Sequence, residues 1–160
     1  EISACLVGSE MCIRDSGYLA RTANLLGIAT PKIACIAPSE QLLPNVISST
    51  EGALLAKMAD RGQLGNVVVD GPLSLDVALY KEVAEHKKVK GSSVAGDPDC
   101  LLFPNLESAN VFFKSVSHLC GGELAAMVMG TKVPCVLTSR GDTSKTKLFS
   151  IALACLAVKK

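Results

Sequence analysis

Long uncharged runs are what this 160-residue sequence most conspicuously lacks. The longest, Leu148 to Val158, has eleven residues. A helix crossing a bilayer needs roughly 18 or more, so a mean hydropathy of +0.37 does not signal a membrane span. Charge of one sign is scarce too. Sixteen Lys and Arg face fifteen Asp and Glu, a net charge of +1, which argues against a nucleic-acid footprint or a polybasic membrane patch. No pair among the seven cysteines has CxxC spacing, and neither His86 nor His118 stands near a cysteine at finger spacing. Zinc is therefore not expected, and no metal is assigned to the candidate site. There is no basic start followed by a small-residue cleavage site, and the cysteine count is odd. Cys35, Cys100, Cys120, Cys135 and Cys155 lie in or beside apolar stretches, so they are expected to be buried, reduced thiols of a cytoplasmic protein. Also absent are a GxGxxG or Walker sequence, a legible serine–histidine–aspartate arrangement, internal repeats and low-complexity linkers.

What is present is apolar substance: 49% hydrophobic against 19% charged residues, enough to bury a sizeable core in one domain or slightly more. The opening stretch, residues 1–16, fits nothing downstream. It has no turn chemistry and weak periodicity. Its segment Leu6 to Asp15 resembles a transposon-end adapter of sequencing libraries translated in frame. Residues 1–16 are therefore expected to be adapter-derived and to pack poorly, with the authentic protein entering near Gly17 and lacking its N-terminal part. Without them, 15 basic face 12 acidic residues, a net charge of +3.

From there on, strand-like and helix-like runs alternate. Tyr18 to Leu26 reads as a helix ending at Gly27, and Lys32 to Pro38 as a buried strand. A helix follows over Thr50 to Asp60, a strand over Asn66 to Val69, and an amphipathic helix over Ser74 to Lys88. Cys100 to Phe103 is a third strand and Glu107 to Leu119 a further helix. Leu124 to Met129 and Val133 to Thr138 read as two more strands around the turn Gly130-Thr131-Lys132, before a last helix from Ser144. Short connections between alternating elements predict an α/β fold: a largely parallel sheet with helices on both faces. In such sheets ligands bind beyond the carboxyl ends of the strands.

Three loops at those ends carry candidate chemistry. In Val69 to Asp76, Asp70 stands at a strand tip, Gly71 permits a tight turn and Pro72 presets the chain direction; an ordinary turn capped by Asp70 reads equally well. In Phe103 to Asn110, the amide of Asn110 shares a helix face with the ammonium of Lys114. That pairing suits a phosphate or another polar ligand, or merely a solvated face. The third loop, Leu137 to Ser144, is the sharpest. Asp142, Thr143 or Ser144 caps the next helix, whose N-terminal N–H groups favour an anion. Arg140 offers a planar fork matched to phosphate oxygens, Ser139 a hydroxyl donor, and Gly141 room for a ligand to approach the backbone.

With VVVDGPLSLDVAL, VAGDPDCLLFPNLESANVFFK and KVPCVLTSRGDTSKTKLFSIALA in that order, preceded by ALLAKMADRGQ, the chain resembles the phosphate acetyl/butyryl transferase family from about residue 17 to 158. The final phrase looks closest to the butyryltransferase branch. The resemblance implies reversible transfer of a short acyl group between CoA and inorganic phosphate, with no permanently bound cofactor, and a homodimer. It also implies two α/β domains of the isocitrate/isopropylmalate dehydrogenase type with the active site between them. On that pattern residues 17–136 are the second domain, and residues 137–160 return to a first domain. Arg140 would hold the phosphoryl group and Ser139 would stabilise the thiol or tetrahedral oxyanion. Relatives place a catalytic aspartate later, where this chain is not acidic, which leaves Asp142 as a weak candidate base. A CoA thiol has a pKa near 8.5, as cysteine does, so modest help yields the nucleophile. The rival reading is the acyl-CoA-sensing domain appended to some malic enzymes.

Overall fold

The computed structural model of the chain describes residues 9–158. The described residues fall into two compact units, one running up to Leu106 and one from Glu107 onward.

The first unit is built on three parallel strands, β1 (Lys32–Ile36), β2 (Val68–Leu73) and β3 (Cys100–Leu102), in the order β2-β1-β3. The central strand shows why both faces are covered. Ile33 and Cys35 point to one side, into a core with Cys12, Leu55, Val69 and Leu102 supplied by helices α1 (Ser9–Leu25) and α2 (Ile47–Asp60) and the flanking strands. Ala34 points to the other, where it meets Leu73, Val77, Ala78, Ala84 and Val94. That second face is covered by helices α3 (Leu75–Leu79) and α4 (Lys81–His86). The expected α/β sheet with helices on both faces is thus present. Gly27 ends α1 as expected, at φ +96°, a conformation that strains any residue with a Cβ.

Three local expectations are corrected here. First, helix α1 begins well before Tyr18, and poor packing does not hold for all of residues 10–16: Cys12 is 5% exposed and Ser16 is buried, while Glu10, Met11 and Arg14 are exposed. Extending the helix backward from Tyr18 places Cys12, Ser16 and Ala23 on one inward face, and the Ser16 hydroxyl satisfies itself on the Ile13 carbonyl at 2.7 Å. Residues 1–8 lie outside the described residues. Second, β2 does not stop at Val69 but runs on through Asp70, Gly71, Pro72 and Leu73. Asp70 pairs with Ala34 and Leu73 with Ile36, so β2 carries a bulge of one residue. Pro72 is tolerated because β2 is an edge strand. Third, the helix expected over 74–88 breaks at Tyr80, which is extended. In an unbroken helix the Ala78 carbonyl would accept the N–H of residue 82; here it accepts the Gly96 N–H at 2.9 Å.

The second unit has two helices, α5 (Leu106–His118, beginning one residue before the division) and α6 (Ser144–Val158), and a long irregular connection. The two strands expected at 124–129 and 133–138 are not formed; a single antiparallel bridge joins Val128 to Cys135. A strand needs a neighbour along its length, and the described residues of this unit contain no sheet to supply one. The connection is tied to α6 instead. Ser150, buried, accepts the Ala126 N–H at 3.0 Å and donates to the Thr146 carbonyl at 2.7 Å. Without a covering sheet, Cys120, Cys135 and Cys155 are exposed, which corrects their expected burial; Cys35 in the sheet is buried and Cys100 partly so. Burial pushes the Cys35 thiol up to about 12. No helix among the described residues is long and apolar enough to cross a membrane.

Candidate functional site

Asp70, Gly71 and Pro72 belong to the first unit, within β2 rather than in a loop after it. Asp70 turns its Oδ1 back to accept the Gly71 N–H at 2.8 Å. A Cβ on Gly71 would stand 2.6 Å from the Cys35 Cβ, so the glycine is demanded by the close approach of β1. All three line a concavity of about 310 Å³ together with Glu40, Lys57 and Lys90.

At the end of β2 lies a polar network that sequence reasoning missed. Ser74 donates to Glu40 Oε2 at 3.2 Å, and Lys87 Nζ reaches Ser74 Oγ at 3.3 Å, Asp76 Oδ2 at 3.0 Å and Glu40 Oε2 at 3.7 Å. Hydrogen bonding by Ser74, whose one hydroxyl proton Glu40 and Asp76 share, and then by Lys87 holds the Asp76 carboxyl down at about 2, and Asp76 in turn raises Lys87. Its members come from three separate segments, so no local spacing announces it.

Asn110, Lys114, Ser139, Arg140, Gly141 and Asp142 belong to the second unit. Ser139 to Asp142 closes into a tight turn. The Asp142 N–H donates to the Ser139 carbonyl at 3.1 Å, and the Ser139 N–H donates back to Asp142 Oδ2 at 2.7 Å. Ser139 Oγ accepts the Gly141 N–H at 3.3 Å, which leaves its own proton to donate outward. Arg140, at the apex, is exposed and has no ion-pair partner among the described residues. A Cβ on Gly141 would meet open space, so a ligand has room there. Of the three expected caps, Thr143 takes the role: its Oγ1 accepts the Thr146 N–H at 3.1 Å at the start of α6.

Lys114 joins this turn from α5, its Nζ 3.7 Å from Asp142 Oδ1 and 5.1 Å from the centre of the Phe113 ring. Asn110, on the same helix, is exposed and takes no part in the turn's contacts. A cavity of about 410 Å³ opens beside the turn, lined by Gly141, Asp142, Thr143 and Thr146 of the α6 entrance, by His118 at the end of α5 and by Gly122 beyond it. Lys145 at its rim is ion-paired with Glu123. Among the described residues no group of three or more His, Cys, Asp or Glu side chains is placed to hold a metal ion.

An exposed Ser-Arg turn entering a capped helix, at the end of an α/β sequence, suits a phosphate-bearing ligand. The family model for phosphate acetyl/butaryl transferases matches residues 18–155. The chain belongs to that family. A phosphate butyryltransferase of Clostridium acetobutylicum is 46% identical over 136 residues, and a phosphate acetyltransferase of Thermotoga maritima 41% identical over 137. The matches cover 85% and 86% of this chain but 45% and 46% of those proteins, so the chain spans about half the length of the curated relatives it matches. A branched-chain phosphotransacylase of Enterococcus faecalis superimposes with a TM-score of 0.84 at 30% identity, over 98% of this chain and 56% of that one. In this member of the family, the turn gathers Ser139, Gly141, Asp142 and, through Asp142, Lys114.

Proposed function

We propose that this chain carries the phosphate-binding loop of an acyltransferase that moves a short, butyryl-like acyl group reversibly between CoA and inorganic phosphate. The observation that carries the reading is the Ser139–Asp142 turn, with Arg140 free at its apex directly before α6, in a member of this family. Arg140 clamps phosphate oxygens bidentately, as a guanidinium fork does and an ammonium does not. Ser139, whose Oγ already accepts the Gly141 N–H, donates a hydrogen bond to the sulfur or to the oxyanion of the tetrahedral intermediate. The thiolate of CoA attacks the acyl phosphate carbonyl and phosphate leaves; in the reverse sense a phosphate oxygen attacks the acyl-CoA carbonyl and the CoA thiolate leaves. Orientation and charge neutralisation are then the protein's main tasks. Acyl-CoA and phosphate are substrates, and the reading includes no permanently bound cofactor.

The reading extends to organisation. Residues 17–136 correspond to the second α/β domain and residues 137–160 to the segment that returns to a first domain; residues 1–16 derive from adapter sequence. The complete enzyme works in the cytoplasm as a homodimer. Resequencing the locus tests the last point on residues 1–16, since adapter codons recovered before Gly17 in genomic DNA would refute it. CoA release from butyryl-CoA in the presence of phosphate tests the activity, comparing this chain with the full gene product. The chain alone is expected to show little turnover, and comparable specific activity would overturn the placement of the cleft. In the active enzyme Arg140→Lys is expected to lose about 1.5–3 kcal/mol of phosphate or transition-state binding. Unchanged kinetics would remove Arg140 from the site.

A further inference from the structure

Asp142 has both carboxylate oxygens engaged. Oδ2 takes the Ser139 N–H at 2.7 Å and Oδ1 faces Lys114 Nζ at 3.7 Å. Its side chain is only 11% exposed, whereas Ser139, Arg140 and Gly141 around it are open to solvent. We infer that Asp142 is a positioning residue that acts through Ser139, drawing its N–H inward so that the Ser139 hydroxyl and the Arg140 guanidinium are presented outward. The inference rests on the reading of this loop as a phosphate site.

The charges explain why Lys114 belongs to the arrangement. A lone carboxylate beside Arg140 would repel phosphate and compete for the guanidinium. Lys114 offsets that charge from α5, where stacking over Phe113 also steadies it. Lys114 therefore serves phosphate through Asp142 and not by direct contact. Both carboxylate oxygens of Asp142 are turned to groups of the chain itself, the Ser139 N–H and the Lys114 ammonium, which separates this role from that of a general base.

Substitution at Asp142 distinguishes the two roles, because an asparagine oxygen can accept the Ser139 N–H but cannot take a proton. The experiment follows the Ser139 amide of the isotopically labelled chain by NMR, with inorganic phosphate as the titrant. In Asp142→Ala the amide is expected to lose its hydrogen-bonded shift and its exchange protection, with phosphate binding weakened about five-fold. Asp142→Asn restores both, binding phosphate at least as tightly as the parent because Lys114 is then unopposed. Lys114→Gln weakens phosphate binding while leaving the Ser139 amide in place. A Ser139 amide unmoved in Asp142→Ala, or an asparagine variant that behaves like the alanine one, overturns the inference. Phosphate that binds no form of the chain overturns the reading of the loop as an anion site, and the amide signals still decide the role of Asp142.

Discussion

The two units of this chain differ in what covers their apolar side chains. In the first, Ile33, Leu55, Leu73, Val77 and Val94 are almost wholly removed from water. In the second, Ser150 is the one buried residue among those described, while Val111, Leu137, Leu148, Ile151 and Val158 stand exposed. The hydrophobicity of the sequences does not explain the contrast, since from Leu148 onward α6 carries apolar residues around its circumference. A sheet does. It satisfies its own backbone N–H and C=O groups and offers two flat faces, each of which a layer of helices can seal. Two helices and an irregular connection bury only a narrow seam, and an all-round apolar helix needs neighbours on every side.

The largest effect is expected where this contrast is sharpest. Leu55→Ala, inside the core of the sheet, should cost about 2–5 kcal/mol, whereas Leu148→Ala, at a position 62% exposed, should change stability by less than about 0.5 kcal/mol. Urea unfolding of the two variants measures both. A comparable loss from Leu148→Ala would mean that α6 is covered in solution, as self-association would cover it, and would break the comparison.

Next in size is Gly71→Ala. A methyl group 2.6 Å from the Cys35 Cβ must push β2 from β1, at a cost of about 1–3 kcal/mol, read from the same unfolding curves. A neutral result would show the bulge of β2 to be pliable. In the second unit Thr143→Ala removes the cap of α6 and should cost that helix about 1 kcal/mol. Amide exchange at Thr146 reports it, and unchanged protection there would count against Thr143 as the cap.

The smallest effect concerns acid. Asp76 is held at about 2 in the folded chain against an ordinary 3.8, so its stabilising contribution is complete above the ordinary value and is lost as pH falls toward 2. Asp76→Asn should therefore make the fall in thermal midpoint shallower between about pH 4 and pH 2. An acid limb identical to the parent's would show that Ser74 and Lys87 do not hold the carboxylate in solution.

How much could be read in advance follows the range of the forces. The alternation of strand and helix, the buried run of β1, the end of α1 at Gly27 and the loop before α6 were legible, because periodicity and caps involve residues a few positions apart. The Ser139-Arg140-Gly141-Asp142 loop stood out for the same reason, with its turn residues and cap in one short stretch. The continuation of β2 through Pro72 was not legible, because Gly71 and Pro72 read as a turn until β1 is placed against them. The break at Tyr80 depends on Gly96 reaching the Ala78 carbonyl, and the pairing of Lys114 with Asp142 joins α5 to the loop before α6. Residues 124–138 have strand-like composition and no strands, because a strand is completed only by a partner. By itself the sequence determined the alternation of helix and strand around the buried run of β1, which faces are apolar and which family the chain resembles, since each follows from neighbouring residues. Only the tertiary structure decided which apolar faces are covered and which side chain holds the Ser-Arg turn, since burial and ion pairing depend on groups that folding brings from distant parts of the chain.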